Sequence, residues 1–337
     1  MACDDVFLTF LIITYRRPDK VVRLLESFLD SRWAALAQRF RMEIVVADDH
    51  SEDRTQEVTK PVIETLQRDG WLIRYIYREM NLRGDANLYR GLTRDSNGYY
   101  VWFLCDDDLI DVPKAICYIE KVAEARPLVA LCGFTQGRKG EISNDLGKTV
   151  RLIGNLDEAV YYIGKFPKTT AYLVRRPPGT MLDPLFEKWD GTLYAWIGLC
   201  IFLMATNPDG RLLLYPDVVA TADDDFGVLR YSHRVLKGKI DVVRSSLEHA
   251  RAPLASIHAI KSHPIYSDEM VLCLGGLTAH YYRGSPIRYA RNILKQEWHF
   301  FAQNWLAIFT KWRRLQGFAK LVAVLLLRLL PAKWRAG

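Results

Sequence analysis

The stretch GYYVWFLCDDDLI, residues 98–110, constrains the fold more than any other part of the chain. A continuous apolar and aromatic run stops on three consecutive aspartates. A strand buried on both faces cannot carry Asp106, Asp107 and Asp108 through its interior, because unpaired buried carboxylates cost too much to desolvate. The triplet therefore belongs where the strand ends, and open α/β sheets hold their ligands at the carboxyl edge. Three adjacent acids repel one another unless positive charge sits among them. A divalent cation carrying a phosphate meets that need.

The first 134 residues supply the rest of such a sheet. VFLTFLII (6–13) is a continuous apolar run, the mark of a strand covered on both faces. Pro18 opens a helix whose apolar face holds Val21, Leu25 and Phe28, with Val22 and Leu29 beside them. EIVVA (43–47), a helix from about Asp53 to Gln67, WLIRYIY (71–77), a helix over 85–95, a strand over 99–105, a helix over 113–125 and LVALCGF (128–134) follow in turn. Strands alternating with helices at this spacing predict a mostly parallel sheet with helices on both faces. Beyond it the pattern is less regular. Residues 135–168 hold Gly137, Gly140, Gly147 and Gly154 and read as loop-rich; 170–176 and 211–222 read as strands. The apolar run 194–205 is too short to span a bilayer and predicts a buried helix.

The tail from about residue 240 reads as helical. Trp298, Phe301, Trp305, Ile308 and Trp312 recur at helical spacing, and LVAVLLLRLLP (321–331) is apolar. The net charge of +7 resides in that tail: residues 311–337 hold seven Lys and Arg and no acid, so the remainder is neutral. A nucleic-acid partner is therefore not expected for the body of the chain. Basic segments with aromatic anchors bind anionic bilayer surfaces, each cation adding on the order of 1 kcal/mol. The tail is thus expected to lie on a membrane rather than cross it. The six cysteines form no CxxC pair, and several lie in apolar runs, which predicts a reducing compartment and no zinc site. The N-terminus, MACDD, enters a strand directly and shows no signal-peptide pattern.

Four segments fall at strand ends: IITYRRP (12–18), VVADDHSED (45–53), NLRGDANLYRGL (81–92) and the aspartate triplet. In a parallel sheet they converge on one crevice. A carboxylate such as Asp49 can accept hydrogen bonds from a nucleobase or ribose, although Asp49, Asp48 or Ser51 could equally cap the next helix. Arg83, beside Gly84, can face a phosphate. Arg16 and Arg17 also read as plain helix-flanking charges. Mg2+ and Mn2+ suit carboxylate, phosphate and water oxygens.

In this order and spacing the four segments resemble the nucleotide-sugar domain of family 2 glycosyltransferases. The resemblance covers roughly residues 6–135 and continues more weakly to about 230. It implies a GT-A fold, a Rossmann-like mostly parallel sheet flanked by helices, here with a helical C-terminal extension. It divides the body of the chain into a nucleotide-sugar part (1–135) and an acceptor part (136–235), followed by the basic, membrane-associating helical region (236–337) read from the tail's own residues. It implies donor contacts from Thr14, Tyr15, Arg16, Asp49, Arg83 and Asp106, and Mn2+ or Mg2+ held by Asp107 and Asp108. The family pattern often runs D-x-D-D, whereas this chain has Cys105 at the first acid. Which two aspartates act stays open.

The same resemblance implies an inverting transfer from a nucleotide-sugar donor, with a carboxylate base on a helix near the acceptor. Asp190, read as beginning the apolar helix, is the first candidate; Glu187 and Asp183 are its rivals, and plain capping competes with catalysis. Asp224, Arg230 and His233, after the strand near 220, could close over a diphosphate, though an acid-rich turn and a surface histidine are equally ordinary there. A glycan or polyprenyl-linked acceptor at the cytoplasmic face of the cell membrane, in cell-surface polysaccharide or O-antigen synthesis, would suit the tail. Two alternatives differ in class. A sugar-phosphate nucleotidyltransferase needs a glycine-rich loop after the first strand, and TYRRP has no glycine. A non-catalytic membrane scaffold would have no use for the acids.

Overall fold

The computed structural model describes residues 5–222, except 137–140, 143–145, 166–167, 179–181 and 193, together with residues 242, 245, 246 and 250. The chain divides into two compact units, residues 1–225 with 242–252 and residues 226–241 with 253–337. The second unit lies outside the described residues. So do Asp224, Arg230, His233 and the whole basic tail.

The first unit is built on one ten-stranded sheet. In chain order its elements begin with β1 (Leu8–Thr14), α1 (Pro18–Glu26), α2 (Trp33–Ala37), β2 (Met42–Asp48), α3 (Thr55–Arg68), β3 (Leu72–Tyr77), α4 (Gly84–Arg90) and β4 (Tyr100–Cys105). Then come β5 (Asp108–Ile110), α5 (Val112–Ala125), β6 (Val129–Gln136), β7 (Glu141–Ile142), β8 (Arg151–Ile153) and α6 (Leu156–Lys165). β9 (Tyr172–Arg175), α7 (Asp183–Trp189), α8 (Ala195–Thr206) and β10 (Leu212–Ala222) complete it. The strand order is β3-β2-β1-β4-β9-β6-β10-β5, with β7 beside β6 and β8 beside β10. The first four strands are parallel. β9 runs antiparallel between β4 and β6, and β10 is parallel to β6.

The apolar runs of the sequence become the central strands because helices cover both faces. Leu8, Phe10, Leu11 and Ile12 of β1 and Ile44 to Ala47 of β2 have no exposed surface. Phe10 packs edge-on against Phe28, Trp33 and Trp71, and its ring lies 5.8 Å from that of Trp102. The run 195–204 forms a helix that is buried on every side, which accounts for its lack of a polar face. No helix among the described residues is long and apolar enough to cross a membrane.

The segment 135–168 departs from the loop-rich expectation, since it contains β7, β8 and α6. The signal for α6 is local. Asn155 accepts from the Glu158 N–H at 2.9 Å, an N-cap that starts α6, and Ala159, Val160 and Ile163 bury its inner face. The helix expected over 85–95 also divides: α4 passes into a turn of π-helix at Gly91–Asp95. Gly91 sits there because a Cβ would come within 2.7 Å of Leu11.

Pro216 interrupts β10, and its pairing with β6 shifts register between Tyr215 and Val218. A proline is tolerated inside a sheet at such a bulge. Gly133 of β6 faces it so closely that a Cβ would lie 2.4 Å from the Asp217 carbonyl oxygen and 2.5 Å from that of Pro216. Backbone cannot step aside as a side chain can. Gly133→Ala is therefore expected to lower the unfolding free energy by about 1–3 kcal/mol, read as a reduced urea midpoint at unchanged slope.

Candidate active site at the carboxyl edge

Register brings the motif residues level. Thr14 pairs with Asp48, Asp48 with Tyr77, and Ile13 with Cys105, so β1, β2, β3 and β4 end on one edge. The aspartates follow β4 directly and are all buried: Asp106 is 3% exposed, Asp107 2% and Asp108 1%. Burial of adjacent carboxylates requires partners, and each has them.

The Thr14 hydroxyl donates to Asp106 Oδ2 at 2.7 Å, across the β1–β4 pair. Arg17 Nη1 lies 3.0 Å from Asp106 Oδ1 and 2.8 Å from Asp107 Oδ2. Lys168 Nζ stands 3.2 Å from Asp108 Oδ1. The Thr170 hydroxyl donates to Asp108 and accepts the Cys105 N–H at 3.0 Å, closing the end of β4. Asp108 also belongs to β5, which pairs with Ala222 of β10. Desolvation pushes Asp106 up to about 6, against the pull of Arg17 and Thr14. Desolvation likewise pushes Asp108 up to about 6, against Lys168.

The remaining motifs line the same edge. Asp49 hangs from Thr14 by a backbone bond of 2.9 Å, and its Oδ1 accepts the Leu82 N–H at 2.7 Å. Desolvation raises its pKa, offset by the N–H groups of Leu82 and Arg83. Asp48 accepts the Ser51 N–H at 2.9 Å and the Tyr75 hydroxyl. Arg83 is exposed, heads α4, and has a left-handed φ of 71°. Beneath it Asn87 donates to the Ala47 carbonyl at 2.9 Å and accepts from Arg78 Nε at 2.9 Å. Tyr15 is 40% exposed, and Arg16, paired with Glu52, is half-exposed.

A divalent cation fits part of this cluster. Ligand atoms of Cys105, Asp107 and Asp108 lie within 4.8 Å of one another. The Cys105 thiol is pushed up to about 12, first by burial and then by Asp108. It is protonated in the metal-free protein, and a soft sulfur is in any case a poor ligand for a hard ion. Asp106 and Asp108 are engaged through both oxygens. Asp107 is bonded only through Oδ2, and its Oδ1 has no partner among the described residues. One carboxylate, completed by phosphate and water oxygens, is the usual Mg2+ arrangement.

The acceptor side departs from expectation. Asp190 does not begin the apolar helix. It closes the C-terminus of α7, exposed, with Gly191 turning the chain after it at φ 74°. The helix starts at Ala195, and the carboxylate facing its first N–H is the buried Asp85 of α4, at 3.3 Å. No sequence periodicity links residues 110 positions apart, so the sequence does not show that contact. Glu187 is exposed on α7, and Asp183 accepts from the Tyr89 hydroxyl. Tyr89 also stacks on Phe186, with ring centroids 4.1 Å apart. Lys168 and Thr170 are the other residues the sequence did not mark, because they lie in the irregular middle.

The sheet and its acid-lined edge define an α/β enzyme domain of the nucleotide-binding kind. Residues 9–177 match the model of glycosyl transferase family 2. The chain belongs to that family, has its GT-A fold and is a glycosyltransferase. Among solved structures it is similar to residues 1–349 of S. aureus TarS in complex with UDP, with a TM-score of 0.57 and 15% identity over 86% of this chain and 78% of that one. It is similar also to the mannosyltransferase PcManGT from Pyrobaculum calidifontis in complex with GDP-Man and Mn2+, with a TM-score of 0.52 and 17% identity over 97% of this chain and 88% of that one. No curated protein matches the sequence.

The raised carboxylates have a consequence for stability. Native Asp106 and Asp108 keep their protons up to about pH 6, whereas unfolded aspartates release theirs near pH 4. The native state thus binds more protons across that window, and stability falls as the pH rises through it. Melting curves in EDTA between about pH 4.5 and 7 are expected to show this fall. Asp106→Asn, which removes one of the two groups, should make it shallower.

Proposed function

We propose that this glycosyltransferase moves a sugar from a nucleotide-diphosphate donor to a hydroxyl of a lipid-linked glycan, with inversion and with Mn2+ or Mg2+. The observation that carries the reading is the convergence of Thr14, Asp49, Asp106 and Asp107 on level strand ends, with one carboxylate oxygen of Asp107 uncommitted. The UDP bound to TarS and the GDP-Man and Mn2+ bound to PcManGT are in keeping with such a donor.

Asp49 and the 78–83 loop it anchors would receive the base, with Thr14, Tyr15 and Arg16 below. Asp106, fixed by Thr14, would take a ribose hydroxyl. Asp107, with Asp108 behind it, would hold the cation, which when bound neutralises the leaving diphosphate. Arg83 would face the phosphates from the head of α4. The acceptor oxygen attacks the anomeric carbon from the side opposite the nucleotide. The new C–O bond forms as the bond to the diphosphate breaks, and that electron pair leaves with the phosphate. Asp190 takes the hydroxyl proton: its side chain is exposed and has no partner among the described residues. The hydroxyl acidifies as its bond to carbon forms, so a carboxylate suffices as base.

The basic, tryptophan-bearing tail would hold the protein on the inner face of the cell membrane, where polyprenyl-linked glycans such as O-antigen precursors are built.

Titration with UDP-, GDP- and other nucleotide sugars, with and without Mn2+, tests the donor half. Asp107→Ala should abolish the Mn2+-dependent gain in affinity, and metal-independent binding in the wild type would refute the metal's role. Asp190→Asn should keep donor affinity and lose about 100-fold or more in turnover. Deletion of residues 296–337 should release the protein from anionic liposomes in co-sedimentation; undiminished partitioning would remove the membrane assignment.

A further inference from the structure

The turn between β1 and α1 carries a cation that the reading above leaves unused. Arg16 has a left-handed φ of 52° there, a conformation that a non-glycine residue keeps only when its surroundings enforce it. Its N–H donates to Ser51 Oγ at 2.8 Å, which pins the kink to the loop after β2. Arg17 follows at the head of α1, caps nothing with its side chain, and reaches over the end of β4. A single nitrogen, Nη1, spans Asp106 Oδ1 at 3.0 Å and Asp107 Oδ2 at 2.8 Å. The side chains of the two acids are almost wholly buried and that of Arg17 is 39% exposed, so a part-exposed cation bridges two buried acids. A divalent ion bridges carboxylates in the same way. Among the described residues Nε and Nη2 of Arg17 have no partner, so the rest of the guanidinium fork is free for phosphate oxygens.

The charges around the triplet explain why this cation could move. Three carboxylates face two cations, Arg17 and Lys168. Lys168 is mostly buried and committed to Asp108. Arg17 is the more exposed and the only one on Asp107 among the described residues. A divalent ion arriving alone would meet a guanidinium already on its ligand, and the two repel. A diphosphate brings enough negative charge for both cations.

We propose that Arg17 is the resident counter-ion of the Asp106–Asp107 pair in the free enzyme, that it transfers to the diphosphate of the incoming donor, and that Asp107 binds the metal tightly only then. This rests on the metal- and nucleotide-dependent reading above and adds an order of binding to it. Metal and nucleotide then strengthen each other by the same factor, as linkage requires.

Binding of Mn2+ alone to the full chain, followed by electron paramagnetic resonance of free Mn2+, tests the assignment. The wild type should bind Mn2+ weakly, and UDP or GDP should tighten it about tenfold or more. Arg17→Gln should bind Mn2+ alone about tenfold tighter than the wild type and gain little from nucleotide. Arg17→Lys, whose single ammonium reaches one carboxylate at a time, should fall between them. Arg54→Gln removes an equal charge from an exposed pair with Asp19 and should behave as wild type. Unchanged or weaker Mn2+ binding in the Arg17 variants, or an equal rise in Arg54→Gln, overturns the proposal. If Arg17→Gln does not fold, Arg17→Lys and the wild-type nucleotide effect decide, and absence of that effect overturns it. A wild type that binds no Mn2+ even with nucleotide defeats the metal-dependent reading itself, and this inference with it.

Discussion

Burial of three adjacent carboxylates at the end of β4 is the constraint around which the described unit is organised. Each acid must be compensated, and the compensation comes from distant parts of the chain: Thr14 and Arg17 from the end of β1, Lys168 and Thr170 from the approach to β9. Removing one partner of a buried pair costs several kcal/mol because a charge is left uncompensated. The antiparallel β9 is thereby tied to the parallel half of the sheet by chemistry as well as by its ladder. Trp102 reinforces the joint, donating from its indole to the Thr170 carbonyl at 2.8 Å.

The same acids illustrate how structure and function share groups. Asp106 and Asp108 have partners within the fold on both oxygens, whereas Asp107 keeps one oxygen free. Asp49 does two jobs as well: it lines the edge where a base could rest and fixes the 78–83 loop through Leu82. Buried Glu43 is the contrasting case. Thr9, Asn97 and Arg74 satisfy it near the start of β2, and it has no chemistry left to offer.

Much of the first half was legible because its signals are local. Continuous apolar runs gave β1, β2 and β4, Pro18 and Pro113 marked helix starts, and the acids marked a strand end. The second half was harder to read. α6 announces itself only by Asn155 and Glu158 among glycines, and a run of strands there pairs antiparallel with no hairpin signature. The sequence places Asp190 at the start of α8 because an Asp shortly before an apolar run looks like an N-cap. In the structure Asp190 is the C-cap of α7, and four residues separate it from α8.

The sequence by itself determined that a sheet exists, that its strands end level on a row of acids, and to which family the motifs belong. Period, apolar continuity and residue type are properties of neighbours along the chain, and they suffice for that. Only the tertiary structure decided which cation sits on which acid, that Asp85 faces the start of α8, and that Lys168 and Thr170 belong to the site. Those pairings join residues 60 or more positions apart. Their partners are chosen by desolvation and distance inside the packed domain, quantities that a linear pattern does not contain.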